Sequence, residues 1–217
     1  MIKTVLFDAA NTLIHKPESW DIWLSLLSSN GFEIDEKELK KVHKIVSETI
    51  RFPDRPDKEF YNLFNSKVLF GLGILPSDKL VSELYQAIKK CEWRAFDDVS
   101  DLLKVEGVFS VASNFNSSLR ETLSQLLPIS FNQVVVSEEI GCRKPTRDFY
   151  EQVVSRLGVK PSEVLYVGDS LELDVWPALK VGMNAFLIDR DGCYPRYENR
   201  LDSFSSLNQV IGSLNED

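Results

Sequence analysis

The stretch Ile2-Lys3-Thr4-Val5-Leu6-Phe7-Asp8-Ala9-Ala10-Asn11-Thr12 opens on a short apolar run and stops at an aspartate followed by small, turn-favouring residues. A short apolar run closed by turn signals reads as a buried strand, so Asp8 stands at the carboxyl end of a strand over residues 2–7. Comparable runs recur at Val108 to Ala112, Val134 to Val136, Val164 to Val167 and Ala185 to Ile188. Helical stretches separate the later runs. In the clearest, Arg147 to Leu157, the residues Phe149, Val153, Val154 and Leu157 share a face and Gly158 ends the helix. Alternation of this kind predicts an α/β fold, a Rossmann-like parallel sheet with helices on both faces and a crevice beyond the carboxyl ends of its strands. Asp8, Ser113 and Asp169 all fall at such ends, so they are expected to converge.

One helix is enough to connect neighbouring parallel strands, yet the chain from Phe7 to Val108 is several times longer than that. The excess is helical. Trp20, Trp23, Leu24 and Leu27 share a face, and Asp35 with Glu38 has the spacing of a capping box. Asp57 to Phe70 presents Phe60, Tyr61, Phe64 and Val68, while Leu80, Leu84 and Ile88 line a helix opened by Ser77. These features predict an inserted α-helical cap over residues 16–92, with the core formed by residues 1–15 and 93–217. The aromatic residues Trp20, Trp23, Phe60 and Tyr61 either line a substrate entrance or pack the cap interior.

Composition narrows the function. Apolar residues at 43% and charged residues at 27% of 217 are ordinary globular usage. No apolar run approaches the roughly 20 residues of a membrane helix, so no membrane partner is expected. The start of the chain lacks the pattern of a secretory leader, and three widely spaced cysteines suit a reducing compartment, so the expected location is cytoplasmic. A net charge of −8 without a basic cluster argues against nucleic acid and for a small-molecule partner.

Each candidate residue has a plain reading beside its chemical one. Asp8 is a nucleophile or metal ligand, or a turn aspartate bonded to local backbone. Ser113-Asn114 holds a phosphate oxygen at a helix start, or Ser113 is an N-cap. Lys144, in Gly141-Cys142-Arg143-Lys144-Pro145, neutralises charge on a phosphoryl group or is a solvated loop lysine. Asp169 and Asp174 offer a carboxylate pair suited to magnesium, or they stabilise a helix N-terminus.

Taken in order, Asp8 in FDAANTL, Ser113 in ASN, Lys144 in GCRKP, and Asp169 with Asp174 in VGDSLELD resemble the haloacid-dehalogenase-like hydrolase superfamily, in particular its members with a small helical cap after the first motif. The resemblance spans nearly the whole chain. It implies Mg2+ as cofactor, a small phosphorylated metabolite as substrate, and Asp8 as the nucleophile that forms an aspartyl phosphate. It further implies that Asp8, the Ala10 carbonyl and Asp169 hold the metal, and that Asp174 orders its waters or holds Lys144. Ser113, Asn114 and Lys144 would bind the phosphoryl group.

The chain departs from the family at Ala10, where most family phosphatases carry a second Asp serving as general acid and base. Losing such a group typically costs roughly 10²- to 10⁴-fold in rate. His15, near the expected hinge, is a candidate replacement. The haloacid dehalogenases also lack the second Asp but dispense with magnesium. Phosphonoacetaldehyde hydrolases place Ala there and need a desolvated cap lysine, for which Lys37, Lys40, Lys41 and Lys44 are candidates only by location. A noncatalytic phosphate-binding protein is the reading from a different class.

Overall fold

The computed structural model describes residues 1–216, which divide into two compact units. One contains Met1–His15 and the chain from Ala95 onward; the other is Lys16–Arg94, so the return crossing lies two residues beyond the expected 92/93 boundary.

The first unit is built on a six-stranded sheet. Its strands are β1 (Thr4–Phe7), β4 (Val108–Ser113), β5 (Gln133–Val136), β6 (Val164–Gly168), β7 (Asn184–Ile188) and β8 (Arg200–Leu201), in the order β5-β4-β1-β6-β7-β8. The short strands β2 (Ile14–His15) and β3 (Arg94–Ala95) form a separate pair where the chain leaves and rejoins this unit. Every pairing in the large sheet is parallel. Strands so paired are buried on both faces, which is why they are continuous apolar runs instead of alternating ones. Leu6, Val135, Tyr166 and Leu187 pack with Phe149, Tyr150 and Val153 from the helix Arg147–Leu157. Gly158 ends that helix at φ 67°, a left-handed conformation that a side chain would strain. The edge strand β8 has only two residues, too short for any periodicity in the sequence to show.

The second unit contains the helices Glu18–Ser29, Glu36–Thr49, Lys58–Gly71 and Asp78–Ile88. Asp35 caps the second by accepting the Lys37 and Glu38 N–H groups, and Ser77 caps the fourth through Leu80 N–H. Gly71 lets the second and third helices close up, since a Cβ there would lie 2.5 Å from Val42 Cγ1. The aromatic stripe is interior packing: Trp23 is buried with Leu27, Phe64 and Leu84, and Trp20 and Phe60 pack against them. Among the described residues no helix is long and apolar enough to cross a membrane.

His43 lies edge-on between Trp20 and Phe64, at ring distances of 5.0 and 4.9 Å. Burial lowers its pKa to about 4, and the neighbouring Lys44 charge acts in the same direction. The unfolded chain therefore takes up this proton near 6.5 while the folded one resists it. Stability is full above that pH and falls as pH drops towards 4, by about 2–3 kcal/mol. Urea midpoints at pH 7 and pH 4.5, read by tryptophan fluorescence, should converge more closely in His43→Gln than in the parent. An equal loss in both proteins would remove His43 as the cause.

Candidate active site

Three strand ends assemble the site. Asp8 follows β1 and donates its N–H to Val167 O at 3.0 Å, which fixes it against β6. Ser113 closes β4 and is buried. Asp169 follows β6, and the single π-helical turn Leu171–Val175 swings Asp174 back beneath it. Such turns widen a helix locally and recur at functional sites. Here Ser170 shapes it: its hydroxyl accepts Leu173 N–H at 2.8 Å, and its own N–H bonds Asp174 Oδ2 at 3.0 Å. The Tyr150 hydroxyl donates to Leu173 O from the outside.

Lys144 is only 3% exposed and joins these parts. Its Nζ is 2.6 Å from Asp8 Oδ1 and 2.6 Å from Asp174 Oδ1. Tyr166 Oη completes the cluster, 3.3 Å from Lys144 Nζ, 2.9 Å from Asp174 Oδ1 and 3.2 Å from Ala112 O. Burial by itself would lower the Lys144 pKa, but the charges of Asp174 and Asp8 outweigh it and hold the ammonium well above its usual range. Burial pushes Asp8 up to about 6; Lys144 opposes this, while Asp174 and Asp169 add to it.

The Asn114 side chain is taken up by the Lys144 backbone. Its amide donates to Lys144 O at 3.0 Å and accepts Lys144 N–H at 2.8 Å. This reciprocal pair presents the lysine from its loop, where the Lys144-Pro145 peptide is cis. Asp174 holds Lys144, one of the two roles expected of it: Oδ1 accepts from Lys144 and Tyr166, and Oδ2 from Ser170 N–H. His15 stacks on Phe96 at 3.8 Å, so one face of its ring is covered. Lys40 and Lys44 pair with Glu36 at 3.0 Å and Glu48 at 3.7 Å.

The donor set fits magnesium. Carboxylate oxygens of Asp8, Asp169 and Asp174 lie within 4.8 Å of one another, an all-oxygen group with no nitrogen or sulfur ligand.

Two contributors escaped the sequence reading. Tyr166 was counted as a strand residue, although a phenol in an otherwise apolar buried strand is itself a signal of a polar partner. Gly168 matters for what it lacks: a Cβ there would lie 2.4 Å from Asp174 Cγ. Gly212, in the helix Leu207–Glu216, has open space around it. Gly168→Ala should therefore cost about 1–3 kcal/mol by overpacking, whereas Gly212→Ala should gain up to about 1 kcal/mol from helix propensity. Urea titration of both variants checks this, and a neutral Gly168→Ala would mean that Asp174 can shift freely.

Residues 2–182 match the family described as haloacid dehalogenase-like hydrolase. The chain is 29% identical to a glyceraldehyde 3-phosphate phosphatase of Methanopyrus kandleri, over 93% of its own length and 90% of the relative's. Among solved structures it is similar to the haloacid dehalogenase-like protein ATU0790 of Agrobacterium tumefaciens, with TM-score 0.67 and 18% identity over 99% of this chain and 100% of that one. It is also similar to the magnesium-bound hydrolase YfnB of Bacillus subtilis, with TM-score 0.64 and 19% identity over 97% and 99% of the two chains.

Proposed function

The chain belongs to the haloacid dehalogenase-like hydrolases, and from that premise we propose that it is a magnesium-dependent phosphatase of a small phosphorylated metabolite, working through Asp8. The observation that carries this reading is the buried Lys144 ammonium, 2.6 Å from both Asp8 and Asp174. A carboxylate nucleophile, a fixed cation and a carboxylate for a metal are the parts that phosphoryl transfer requires.

One Asp8 oxygen attacks phosphorus while the bond from phosphorus to the ester oxygen breaks, and the electron pair leaves with that oxygen. Water then attacks phosphorus in the aspartyl phosphate, returning Asp8 as a carboxylate and releasing inorganic phosphate. Lys144, kept protonated by Asp174 and Asp8, faces the charge on the transferred oxygens, and the Ser113 hydroxyl binds one of them. Asp8, Asp169 and the Ala10 carbonyl hold the ion. When bound, magnesium supplies positive charge that keeps Asp8 ionised and offsets the charge of the phosphoryl group. Asp169 and Asp174 favour this chemistry over dehalogenation, which needs no such carboxylates. The Methanopyrus relative supports a three-carbon sugar phosphate as the first substrate class to assay.

Phosphate release from glyceraldehyde 3-phosphate, related monoesters and acetyl phosphate should require both magnesium and Asp8. No release above the Asp8→Asn background on any of them would sink the phosphatase reading. Ala10 leaves the departing oxygen without a carboxyl proton donor on the loop that carries Asp8. Ala10→Asp should accordingly raise turnover of alkyl phosphates by roughly 10²-fold or more, with a smaller gain for acetyl phosphate, whose leaving group needs no proton. Equal gains on both would assign the added carboxylate another role.

A further inference from the structure

Arg190, two residues beyond β7, makes more directed contacts than any surface role needs. Its Nε and Nη2 grip Asp98 at 3.1 and 2.8 Å in a two-pronged pair. Nη2 also donates to Thr12 O at 3.0 Å and Nη1 to Asn11 O at 3.4 Å. The guanidinium lies 3.9 Å from the Phe96 ring centre and 5.0 Å from that of Phe204. His15 stacks on Phe96 at 3.8 Å. Two flat groups cannot both lie that close over one face of a ring, so Arg190 and His15 cover opposite faces. Asp98 is fixed in turn, because its Oδ2 accepts Phe204 N–H at 3.0 Å.

The two carbonyls that Arg190 captures belong to the loop that carries Asp8. That loop is tightly wound: Ala9 O accepts N–H groups from Thr12, Leu13 and Ile14, and Asn11 sits at φ 60°, a left-handed turn conformation that asparagine tolerates better than other side chains. Asn11 N–H donates to Ile14 O at 2.7 Å. In a trans peptide the carbonyl points opposite to the N–H, so this bond aims the Ala10 carbonyl away from Ile14. The next two carbonyls in the chain are then fixed by Arg190. The loop's own N–H bonds to Ala9 O and Ile14 O hold one side of it, and the guanidinium holds the carbonyls on the other, so losing Arg190 would leave Asn11 O and Thr12 O without that anchor and loosen the peptide that presents Ala10 O.

We infer that Arg190 is a positioning residue for the divalent ion, holding the Asp8 loop so that the Ala10 carbonyl keeps its aim. This rests on the reading above that Asp8, Ala10 and Asp169 hold magnesium. It touches neither substrate nor ion. Lysine is no substitute, since a single ammonium cannot grip Asp98 with two prongs, reach two carbonyls and stack on Phe96 at once.

Calorimetric titration of the full chain with Mg2+ alone tests it. Groups that orient metal ligands typically contribute about 10- to 100-fold to affinity, and a loss in that range is expected for Arg190→Gln and Arg190→Lys alike. Asp98→Asn, which keeps the arginine but weakens its anchor, should show a smaller loss in the same direction and decides the matter if the arginine variants do not fold. Val153→Ala, a core change elsewhere in the same unit, should lower the melting temperature without moving the magnesium constant. Folded variants at Arg190 or Asp98 that bind magnesium as the parent does would overturn the inference and leave the phosphatase reading standing. A parent chain that binds no magnesium would overturn both.

Discussion

The contact on which the site depends is the ammonium of Lys144 between Asp8 and Asp174. Three charges are removed from water here, at a desolvation cost of several kcal/mol for each ion before any attraction is counted. The arrangement is tolerable because each group is matched. Lys144 meets two carboxylates and a phenol, and Asp174 meets an ammonium, a phenol and a backbone N–H. Asp8 is the one member with a second oxygen outside this set of contacts, as suits a group that must act on something else. Much of the surrounding architecture reads as support for that geometry. Asn114 fixes the lysine backbone, Gly168 clears room for Asp174, and the π-helical turn supplies its angle.

The sheet was legible because parallel strands buried on both faces leave uninterrupted apolar runs. The helix Arg147–Leu157 was legible to the residue, since its apolar spacing and terminal glycine agree. Asp8, Ser113 and Asp169 could be placed near one another from strand ends alone. Lys144 came into view only beside the other motifs, since a loop lysine taken singly says nothing about burial. What stayed hidden is relational. Asn114 was read for the backbone N–H groups beside Ser113, and the sequence cannot say that its side chain is bonded to a backbone thirty residues on. Arg190 and Asp98 are distant in the chain, and a solvated ion pair and a half-buried clamp look the same in a string of letters. The two-residue strand β8 has no pattern to read. The aromatic stripe of residues 20–61 allowed two readings, and its packing in the interior of its own unit is the plainer of them.

Ala10 separates two tasks that a single position could otherwise combine. Its backbone needs no particular side chain to offer a carbonyl, whereas its methyl group can neither give nor take a proton. Binding and turnover can therefore part company in this chain. A protein that holds ion and phosphate well while releasing product slowly would be consistent with every distance in the site.

The inserted helices have their own apolar centre, in which Trp23, Leu27, Phe64 and Leu84 meet, and they join the first unit at His15 and Ala95. They are carried on the connection between β1 and β4, two strands that are neighbours in the sheet and parallel, so some long link was unavoidable there. Closing a longer link costs only about 0.6 kcal/mol for each doubling of its length. The chain can thus exchange or enlarge this segment almost without penalty to the sheet whose strand ends carry Asp8, Ser113 and Asp169.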